Sequence, residues 1–229
     1  MLPVYNERDV LACSVERLHC HLAQHLPYDW RIVIVDNGST DGTADIGEDL
    51  SLRTDRVDLI RIGQKGRGRA LRAVWLCSRA DVLSYMDVDL STGLDAYLPM
   101  VRAIAEEGYD VAIGRRLGPG ARVAGRRLTR EVTSRGYNLI TKAAFWTHVI
   151  DAQCGFKAIS RTAADTLLPH VEDTGWFFDT ELLIRAEKHG FGIRQVPVHW
   201  VDDPNTHVKI VRTALDDLRG IWRLKREGF

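Results

Sequence analysis

Short apolar segments alternate with longer amphipathic segments through the first half of the chain, and this alternation limits the fold more than any other feature. The apolar segments have the length and β-branched content of buried strands, while the segments between them favour helices. A strand–helix–strand order predicts an α/β fold with a mainly parallel sheet, right-handed crossovers and helices on both faces. The predicted strands are RIVIVD at 31–36, VDLIRIG at 57–63, VLSYMDVD at 82–89 and YDVAIG at 109–114. The predicted helices run from Ser39 or Asp41 to about Asp49, from 68 to 80 and from 94 to 108.

Charged side chains collect where the predicted strands end. Asp36 ends the first strand and Asp87 and Asp89 end the third, while Arg115 and Arg116 follow the fourth. Ligands of open α/β sheets bind beyond the carboxyl ends of the strands. The pattern therefore predicts a binding site of mixed charge at this edge of the sheet.

Asp87 and Asp89 are separated only by Val88. Side chains two positions apart on a strand share a face, so the two carboxylates would repel one another without a nearby cation. Mg²⁺ and Mn²⁺ take oxygen ligands and bind through one or two carboxylates together with substrate phosphates. The pair is therefore a candidate divalent-metal site. The alternative is a chance pairing in a solvated loop, which the position between a strand and the helix-capping residues Ser91 and Thr92 disfavours.

Composition argues against several classes of protein. The 31 Lys and Arg residues balance the 31 Asp and Glu residues, which disfavours nucleic-acid binding through overall basicity. The four cysteines include no C-x-x-C pair, and we interpret them as reduced core residues. The sequence has no run of 18 apolar residues and no recognisable signal peptide, so the expectation is a cytoplasmic protein.

Two basic segments are candidates for binding phosphate groups. Lys65 and Arg67 flank glycines near a predicted helix start, where backbone N–H groups can approach phosphate or ribose, although such sequences also form ordinary turns. Residues 114–138 are rich in arginine and contain a single acidic residue. This segment is either a solvated loop and helix or a loop that receives an anionic lipid phosphate at a membrane surface. Arg130 and Ser134 lie one helical turn apart within it and could face one phosphate.

The last segment has apolar residues at the 3–4 spacing of an amphipathic helix. They are Val208, Val211, Leu215, Leu218 and Trp222, flanked by Arg219, Arg223, Lys225 and Arg226. Such a helix suits a membrane interface, and it equally suits packing on the rest of the chain. We therefore divide the chain into a main domain at 1–206 and a basic C-terminal helix at 207–229.

Six ordered motifs resemble those of one known family. They are LPVYNE at 2–7, VDNGSTDGT at 35–43, KGRG at 65–68, MDVDLST at 86–92, DAQCGFKA at 151–158 and WFFDTELL at 176–183. Together they resemble the family 2 glycosyltransferases of GT-A fold, and among these the polyprenyl-phosphate or dolichyl-phosphate sugar synthases, especially the glucosyltransferase branch. The resemblance covers nearly the whole chain and implies that 1–206 is a single catalytic domain. Because only Met1 and Leu2 precede PVYNE, the family's first strand is expected to be missing or the start misassigned.

The resemblance implies a nucleotide-sugar donor, either a UDP-sugar or a GDP-sugar. Pro3, Tyr5 and Glu7 fall where the family holds the base and ribose. Asp36 falls where a carboxylate accepts a hydrogen bond from uracil or guanine, both of which present a ring N–H. The donor site is therefore expected to include the loops after the first two strands.

The resemblance also implies a Mg²⁺ or Mn²⁺ ion that bridges the donor diphosphate. Asp89 matches the direct metal ligand, and Asp87 matches the carboxylate nearer the ribose and sugar. Ser91 stands where many relatives have Gln, so a water molecule is expected to complete the metal shell.

On the acceptor side, Arg116, Arg130 and Ser134 match positions that hold the acceptor phosphate or the diphosphate. Asp151 matches a carboxylate near the attacking acceptor, as a general base or an orienting group. A phosphate monoester has its second pKa at about 6 and is already ionised at neutral pH, so little base catalysis is required. This chemistry favours an orienting role.

The remaining motifs are implied to surround the sugar. Lys157, with Gln153, Gly155 and Phe156, would shape the sugar pocket and support the diphosphate. A helical segment would face the sugar through Trp176, Phe177, Phe178, Asp179 and Glu181. Core packing is the alternative for the aromatic residues, and it is the better interpretation for two of the three.

We therefore expect an inverting, metal-dependent enzyme at the inner face of the cell membrane. It would pass a hexose, glucose rather than mannose, from the nucleotide sugar to a polyprenyl phosphate. The alternatives are a transferase with a soluble or polysaccharide acceptor, a sugar-nucleotide-binding protein without turnover, and a nucleotidyltransferase that releases pyrophosphate. The arginine-rich segment favours the lipid acceptor.

A departure from the family predicts a pH dependence. Relatives have Ser and then Lys or Arg on a loop over the diphosphate, where this chain has Thr206 and His207, followed by Lys209. A histidine is only partly charged near neutral pH, so sugar transfer is expected to fall as pH rises through the titration of His207. The measurement is a pH–rate profile of the wild type and His207→Arg. Equal slopes of the two profiles between about pH 6 and 8 would contradict this role.

Overall fold

The computed structural model describes residues 1–125, 128–201 and 210–229, with the backbone alone at 128–130 and 210–212. Its strands are β1 Leu2–Val4, β2 Ile32–Asp36, β3 Val57–Arg61, β4 Val82–Met86, β5 Val111–Arg115, β6 Arg122–Ala124, β7 Phe156–Ser160, β8 Ile193–Pro197 and β9 His199–Val201. Its helices are α1 Arg8–His25, α2 Thr43–Arg53, α3 Arg67–Cys77, α4 Tyr97–Ala105, α5 Leu128–Phe145, α6 Arg161–Leu167, α7 Phe178–Lys188 and α8 Ile210–Arg226. Short 3₁₀ turns lie at Leu94–Ala96 and Leu168–His170.

The central sheet has the predicted α/β architecture. Strands β1, β2 and β3 pair in parallel, with β1 next to β2, and a second group pairs in the order β4-β7-β5-β8. The two groups meet where the Met1 amino group donates to the Ser84 carbonyl at 2.9 Å and the Met86 N–H donates to the Met1 carbonyl at 3.2 Å. These bonds have the pattern of a parallel pair, so β1 and β4 join the strands into one continuous sheet.

Strand β7 departs from the parallel pattern, since it runs antiparallel to both β4 and β5. Its first residue, Phe156, pairs with Met86, the last residue of β4. The chain therefore enters β7 from the edge where β4 ends, and residues 151–155 lie beside the acidic pair. A parallel strand would have left this segment at the opposite edge of the sheet.

Helices cover both faces of the sheet, as predicted. On β4, Leu83 and Tyr85 pack with residues of α3, α6 and α7, whereas Met86 packs on the other side with residues of α1 and α4. Alternate side chains of a strand point to opposite faces, so a strand between two helical layers is apolar on both sides. This explains why the strands read as continuous apolar runs.

Three local expectations need correction. The first strand is present, because Leu2–Val4 forms β1 beside β2. Strand β4 ends at Met86, so Asp87 and Asp89 follow the strand instead of lying on it. The predicted helix at 94–108 begins as a 3₁₀ turn and its α-helical part ends at Ala105.

The C-terminal helix packs on the domain through one face. Ile221 and Leu224 of α8 lie in an apolar cluster with Phe145 of α5 and with Phe177 and Ile184. The apolar stripe identified in the sequence lies elsewhere on the helix, because Leu215, Leu218 and Trp222 remain 52%, 48% and 63% exposed. Val208 and the Val211 side chain lie outside the described residues. Among the described residues, no helix is long and apolar enough to cross a bilayer.

Candidate active site

The acidic pair lies in a tight turn after β4. The Asp87 carbonyl accepts a hydrogen bond from the Leu90 N–H at 3.1 Å, and Leu90 has a positive φ of 49°. Asp89 is exposed, and its two carboxylate oxygens accept from the Ser91 N–H at 2.9 Å and the Ser91 hydroxyl at 2.7 Å. The expectation that the two carboxylates share a strand face is therefore wrong, because a turn and not a strand sets their directions.

The segment 151–155 holds Asp87 from the side. The Asp87 N–H donates to the Gly155 carbonyl at 3.0 Å, and a Cβ atom at Gly155 would overlap the Asp87 carboxylate. Glycine is therefore required at 155 by close approach of the carboxylate. The motif DAQCGFKA contains a residue whose missing side chain makes room for the predicted metal ligand.

Asp87 belongs to a network of charges beneath the site. The Arg67 guanidinium lies 3.1 Å from Asp87, and it donates to the Tyr85 hydroxyl at 2.9 Å. The Tyr85 hydroxyl donates to Asp179 at 2.6 Å. The Lys157 ammonium donates to the same hydroxyl at 3.3 Å and lies 3.4 Å from Asp179. Two cations and two carboxylates therefore compensate one another in a mostly buried cluster.

Burial raises the pKa of Asp87, and the charge of Arg67 opposes this rise whereas the charges of Asp89 and Asp179 add to it. A carboxylate with a raised pKa is one whose negative charge is incompletely compensated by its surroundings. A divalent cation would supply the missing positive charge. The side chains therefore fit the metal that the sequence implies.

Mg²⁺ is usually held by one or two protein carboxylates, so two would be enough here. Among the residues the structure describes, no group of three or more His, Cys, Asp and Glu side chains could hold a metal ion. Asp87 and Asp89 would thus supply carboxylate oxygens, and donor phosphates and water would complete the shell, as is usual for Mg²⁺.

Arg116 and Asp151 form a second charged unit, at the end of β5. Both Asp151 oxygens accept from the Arg116 guanidinium at 2.8 Å, and one also accepts the Arg116 backbone N–H at 2.9 Å. Asp151 is fully buried, while the Arg116 side chain is 12% exposed and packs over the Trp200 ring with its guanidinium carbon 4.8 Å from the ring centroid. The bidentate pair fixes the plane and direction of the guanidinium.

Asp151 is a poor candidate for a base. Burial by itself raises its pKa, but the charge and hydrogen bonds of Arg116 outweigh burial, so the pKa of Asp151 lies below its usual value. Both carboxylate oxygens are engaged by Arg116. The geometry is that of an orienting residue, in agreement with the role that phosphate chemistry favours.

The predicted base and ribose residues lie together at the other end of the site. The Asn6 N–H donates to the Ser39 hydroxyl and the Glu7 N–H to the Thr43 hydroxyl, both at 2.9 Å, so the loops after β1 and β2 are tied together. Pro3 pairs in register with Val35 on these two strands.

The Lys65 ammonium lies 3.4 Å from the centroid of the Tyr5 ring, at the outer side of these loops. Asp36 is 3% exposed and accepts the Ser39 N–H. Arg67, two residues after Lys65, points inward to Asp87. The two cations of the KGRG motif therefore serve different parts of the site.

Several predicted site residues lie away from the open site or outside the described residues. Arg115 folds back on its own loop, where it donates to the carbonyls of Leu117 at 2.6 Å and Pro119 at 2.7 Å. The Ser134 hydroxyl on α5 is buried without a hydrogen-bond partner among the described residues. The Arg130 side chain and all of His207 lie outside the described residues, so a shared phosphate site for Arg130 and Ser134 stays a prediction.

The predicted sugar-facing segment is mostly structural. Phe177 and Phe178 are each 1% exposed and pack in the core, whereas Trp176 is 46% exposed with the Arg67 guanidinium 4.9 Å from its ring centroid. Core packing of two of the three aromatics is thus confirmed. Glu181 is fully buried and pairs with Arg185 at 2.9 Å and with Arg223 of α8 at 2.5 Å.

Sequence reasoning missed Tyr85 and Asp217. Tyr85 was hidden within an apolar strand, although a hydroxyl two residues before an acidic pair is a recognisable polar signal. Asp217 of α8 is 3% exposed and accepts from the Gln153 amide at 2.9 Å, so the C-terminal helix reaches the segment next to Asp151. Its sequence neighbours gave no indication of this contact.

The sheet, the acidic turn and the charged residues at the strand ends have the arrangement of the GT-A class of folds. The sequence profile of glycosyl transferase family 2 matches residues 1–168, and the chain belongs to this family. It is 36% identical over 230 residues to glycosyltransferase AglD of Haloferax volcanii, covering 98% of this chain but only 37% of AglD. It is 27% identical over 245 residues to dolichyl-phosphate beta-glucosyltransferase ALG5C of Trichomonas vaginalis, covering 98% of this chain and 73% of that protein.

A solved structure gives the same fold. Glucosyl-3-phosphoglycerate synthase from Mycobacterium tuberculosis, crystallised with Mn²⁺ and UDP-glucose, superposes with a TM-score of 0.68 at 20% sequence identity. The match covers 96% of this chain and 77% of that structure. This similarity confirms the GT-A fold expected from the sequence.

The contact between Gly155 and Asp87 generates a prediction about metal binding. Gly155→Ala is expected to weaken Mn²⁺ binding about ten-fold or more, because the added methyl group displaces a ligand from its supported position. The measurement is isothermal titration calorimetry with Mn²⁺ and a nucleoside diphosphate. Gly136→Ala on the open face of α5, where a Cβ meets no atom within 4 Å, is the control. Unchanged Mn²⁺ affinity in a folded Gly155→Ala protein would contradict a metal-binding role for Asp87.

Proposed function

We propose that this chain transfers a hexose from a nucleoside-diphosphate sugar to a polyprenyl phosphate with inversion at the anomeric carbon, in a reaction that requires Mg²⁺ or Mn²⁺. The observation that carries the proposal is the site itself: an acidic turn suited to a metal ion lies beside Arg116, whose guanidinium is fixed by the buried Asp151. Glucose is the favoured sugar because of the glucosyl-branch motifs and the similarity to ALG5C, and mannose is the second choice.

The leaving group explains the need for positive charge. When the bond between the anomeric carbon and the diphosphate breaks, negative charge grows on a phosphate oxygen, and a bound divalent cation would stabilise that charge. Asp89 and Asp87 would hold the cation, and Lys65 would lie near the nucleotide. Asp36 would accept the ring N–H of uracil or guanine, so both UDP-sugars and GDP-sugars suit the site.

Acceptor activation requires orientation more than proton removal. The attacking oxygen belongs to a phosphate monoester that carries negative charge at neutral pH. Arg116 would align this phosphate by charge-assisted hydrogen bonds, and Asp151 would hold Arg116 in place. Arg130 and Ser134 would complete the acceptor site, and His207 would support the diphosphate. Lys157 is buried beneath Asp87 and would act only through Tyr85 and Asp179.

Exposed apolar residues on α5 and α8 support docking at a membrane surface. Val132 and Leu139 of α5 are 70% and 69% exposed, and Trp146, just after this helix, is 85% exposed. They supplement the exposed Leu215, Leu218 and Trp222 of the adjacent α8. Arg135 and Arg219, on the same helices, are 67% and 78% exposed. An apolar face with basic neighbours suits an anionic lipid surface, where each basic residue contributes about 1 kcal/mol. The inner leaflet of the cell membrane is the expected location.

The test of the reaction is transfer of radiolabelled glucose from UDP-glucose to polyprenyl phosphate, with and without Mn²⁺, followed by extraction into the lipid phase. A parallel assay uses GDP-mannose. Asp89→Asn is expected to lower kcat by about 100-fold or more, because it removes a group that supports charge on the leaving diphosphate. Asp81→Asn, an exposed carboxylate just before β4 at its opposite end, is the matched control.

Three outcomes would contradict the proposal. Label that stays in the aqueous phase on another acceptor would favour the soluble or polysaccharide alternative. Donor binding without any turnover would favour a binding protein, and release of pyrophosphate from a nucleoside triphosphate would favour a nucleotidyltransferase.

The membrane surface is tested separately. The double variant Leu218→Ser and Trp222→Ser is expected to bind vesicles of phosphatidylcholine and phosphatidylglycerol at least about ten-fold more weakly, since a buried large apolar side chain contributes about 1.5–3 kcal/mol. Co-sedimentation of protein with vesicles is the measurement. Leu52→Ser, at an 81% exposed position on α2, is the control. Equal losses in both proteins, or no loss in either, would contradict docking through α8.

A further inference from the structure

Residues 151–155 contact three charged residues of the candidate site, and we call them the 151–155 loop. The Asp151 carboxylate holds Arg116, the Cys154 carbonyl accepts from the Lys157 ammonium at 2.6 Å, and the Gly155 carbonyl accepts from the Asp87 N–H at 3.0 Å. A displacement of this loop would therefore move the acceptor-side arginine and the predicted metal ligand together.

The Gln153 side chain connects the 151–155 loop to the C-terminal helix. Its Nε2 atom donates to Asp217 Oδ2 of α8 at 2.9 Å. Asp217 is 3% exposed, so this bond is protected from solvent at the contact between the helix and the loop. A hydrogen bond at a buried contact does not compete with water and therefore holds the two segments together.

The position of Asp217 is set by tight packing of α8. One turn further along, Gly220 lies against the Phe177 ring so closely that a Cβ atom would overlap it. Arg223 then pairs with the buried Glu181, with its guanidinium 2.5 Å from the carboxylate. The helix is thus held at three successive turns, and the one nearest the site is the turn that carries Asp217.

The surroundings of Asp217 disfavour its charged form. Its Oδ1 atom is buried and has no hydrogen-bond partner among the described residues. Burial raises the pKa of Asp217 to about 7, an effect to which Asp173, Asp179 and Asp216 add and which the Gln153 hydrogen bond opposes. The Tyr137 hydroxyl of α5 faces the same region, and burial together with the charge of Asp217 raises the pKa of Tyr137.

We propose that Asp217 is a positioning residue, which anchors the 151–155 loop to α8 and thereby keeps Arg116 and Asp87 in their working positions. The anchor is itself independent of the reaction, but its consequence for catalysis rests on the proposed function. It makes α8 an integral part of the active domain. It also links the exposed apolar face of α8 to the site, since the two faces belong to one helix.

The anchor has a defined pH dependence. Because the pKa of folded Asp217 lies above that of an ordinary Asp, its contribution to stability is greatest at low pH and is lost as pH rises through about 7. Ionised Asp217 places a charge beside three other carboxylates in a buried contact, which weakens the docking of α8. Order in the 151–155 loop and the rate of sugar transfer are therefore expected to fall together above neutral pH.

The experiment compares Asp217→Ala and Asp217→Asn with Asp216→Asn, a control at the neighbouring position whose side chain is 54% exposed. The first measurement is hydrogen–deuterium exchange of residues 151–157 in the full chain at pH 6 and 8, which needs no substrate. Asp217→Ala is expected to raise exchange in this segment at both pH values. Asp217→Asn keeps an acceptor for Gln153 without the charge, so the protection of this segment, corrected for the faster intrinsic amide exchange at the higher pH, should be high and equal at the two pH values.

The second measurement is the pH–rate profile of sugar transfer. Asp217→Ala is expected to lower kcat about ten-fold with a smaller change in the donor KM, as for the loss of a supporting contact. Asp217→Asn should restore kcat and flatten the decline between pH 6 and 8. Asp216→Asn should keep the wild-type kcat at pH 6, with the decline at a somewhat lower pH because one charge that raises the pKa of Asp217 is gone. If His207→Arg alone removes the decline, Asp217 is not its cause and the pH-dependent part of the inference is overturned.

The outcomes separate the anchor from the proposed function. If hydrogen–deuterium exchange of residues 151–157 in Asp217→Ala equals that of the wild type, the anchor is overturned, whatever the rate of sugar transfer. A wild type that transfers no sugar while Asp217→Ala still loosens the loop overturns the proposed reaction and leaves the anchor supported. If Asp217→Ala does not fold, the wild type and Asp217→Asn are compared instead. An identical pH dependence of loop protection in these two proteins overturns the anchor.

Discussion

Compensation of charge around Asp87 is the constraint on which the rest of the site depends. A carboxylate at the tip of an internal strand, next to a second carboxylate, is costly in a poorly solvated environment unless cations lie nearby. The chain provides Arg67 from the start of α3 and Lys157 from β7, and it uses Tyr85 and Asp179 to hold the two cations apart. Neither cation comes from β4 itself, so the acidic turn exists only when three separate segments are assembled.

The carboxylates at this edge of the sheet divide into exposed and buried groups with different chemistry. Asp89 is open to solvent and Asp87 is one-third exposed, as expected for ligands that a metal ion must reach. Asp151 and Asp179 are buried and already paired with Arg or Lys, which makes them supports for cations. The same residue type is therefore suited to bind a cation in one place and to orient a side chain in another, and the difference is set by burial and partners.

The C-terminal helix has two faces with different surroundings. Its inner face carries Asp217, Gly220 and Arg223, which meet the 151–155 loop, Phe177 and Glu181. Its outer face exposes Leu215, Leu218 and Trp222. The sequence left membrane contact and packing as alternatives, but packing occupies only one face of α8 and leaves the other exposed. Packing of α8 on the domain therefore does not exclude contact of its other face with a membrane.

Local sequence determined the strand–helix order, the strand positions to within a few residues, and the gathering of Asp36, Asp87, Asp89 and Arg116 at one edge, since all of these follow from short-range periodicity and the geometry of parallel sheets. The family motifs added the fold and the expected ligands. Sequence could not give the antiparallel direction of β7, the pairing of Arg116 with Asp151 or that of Gln153 with Asp217, because the paired residues are 35 and 64 positions apart and meet only after the sheet and α8 have packed. Tertiary structure alone decided which carboxylates lie exposed and which are buried and paired with cations, because burial and charge partners depend on chain segments that are distant in sequence.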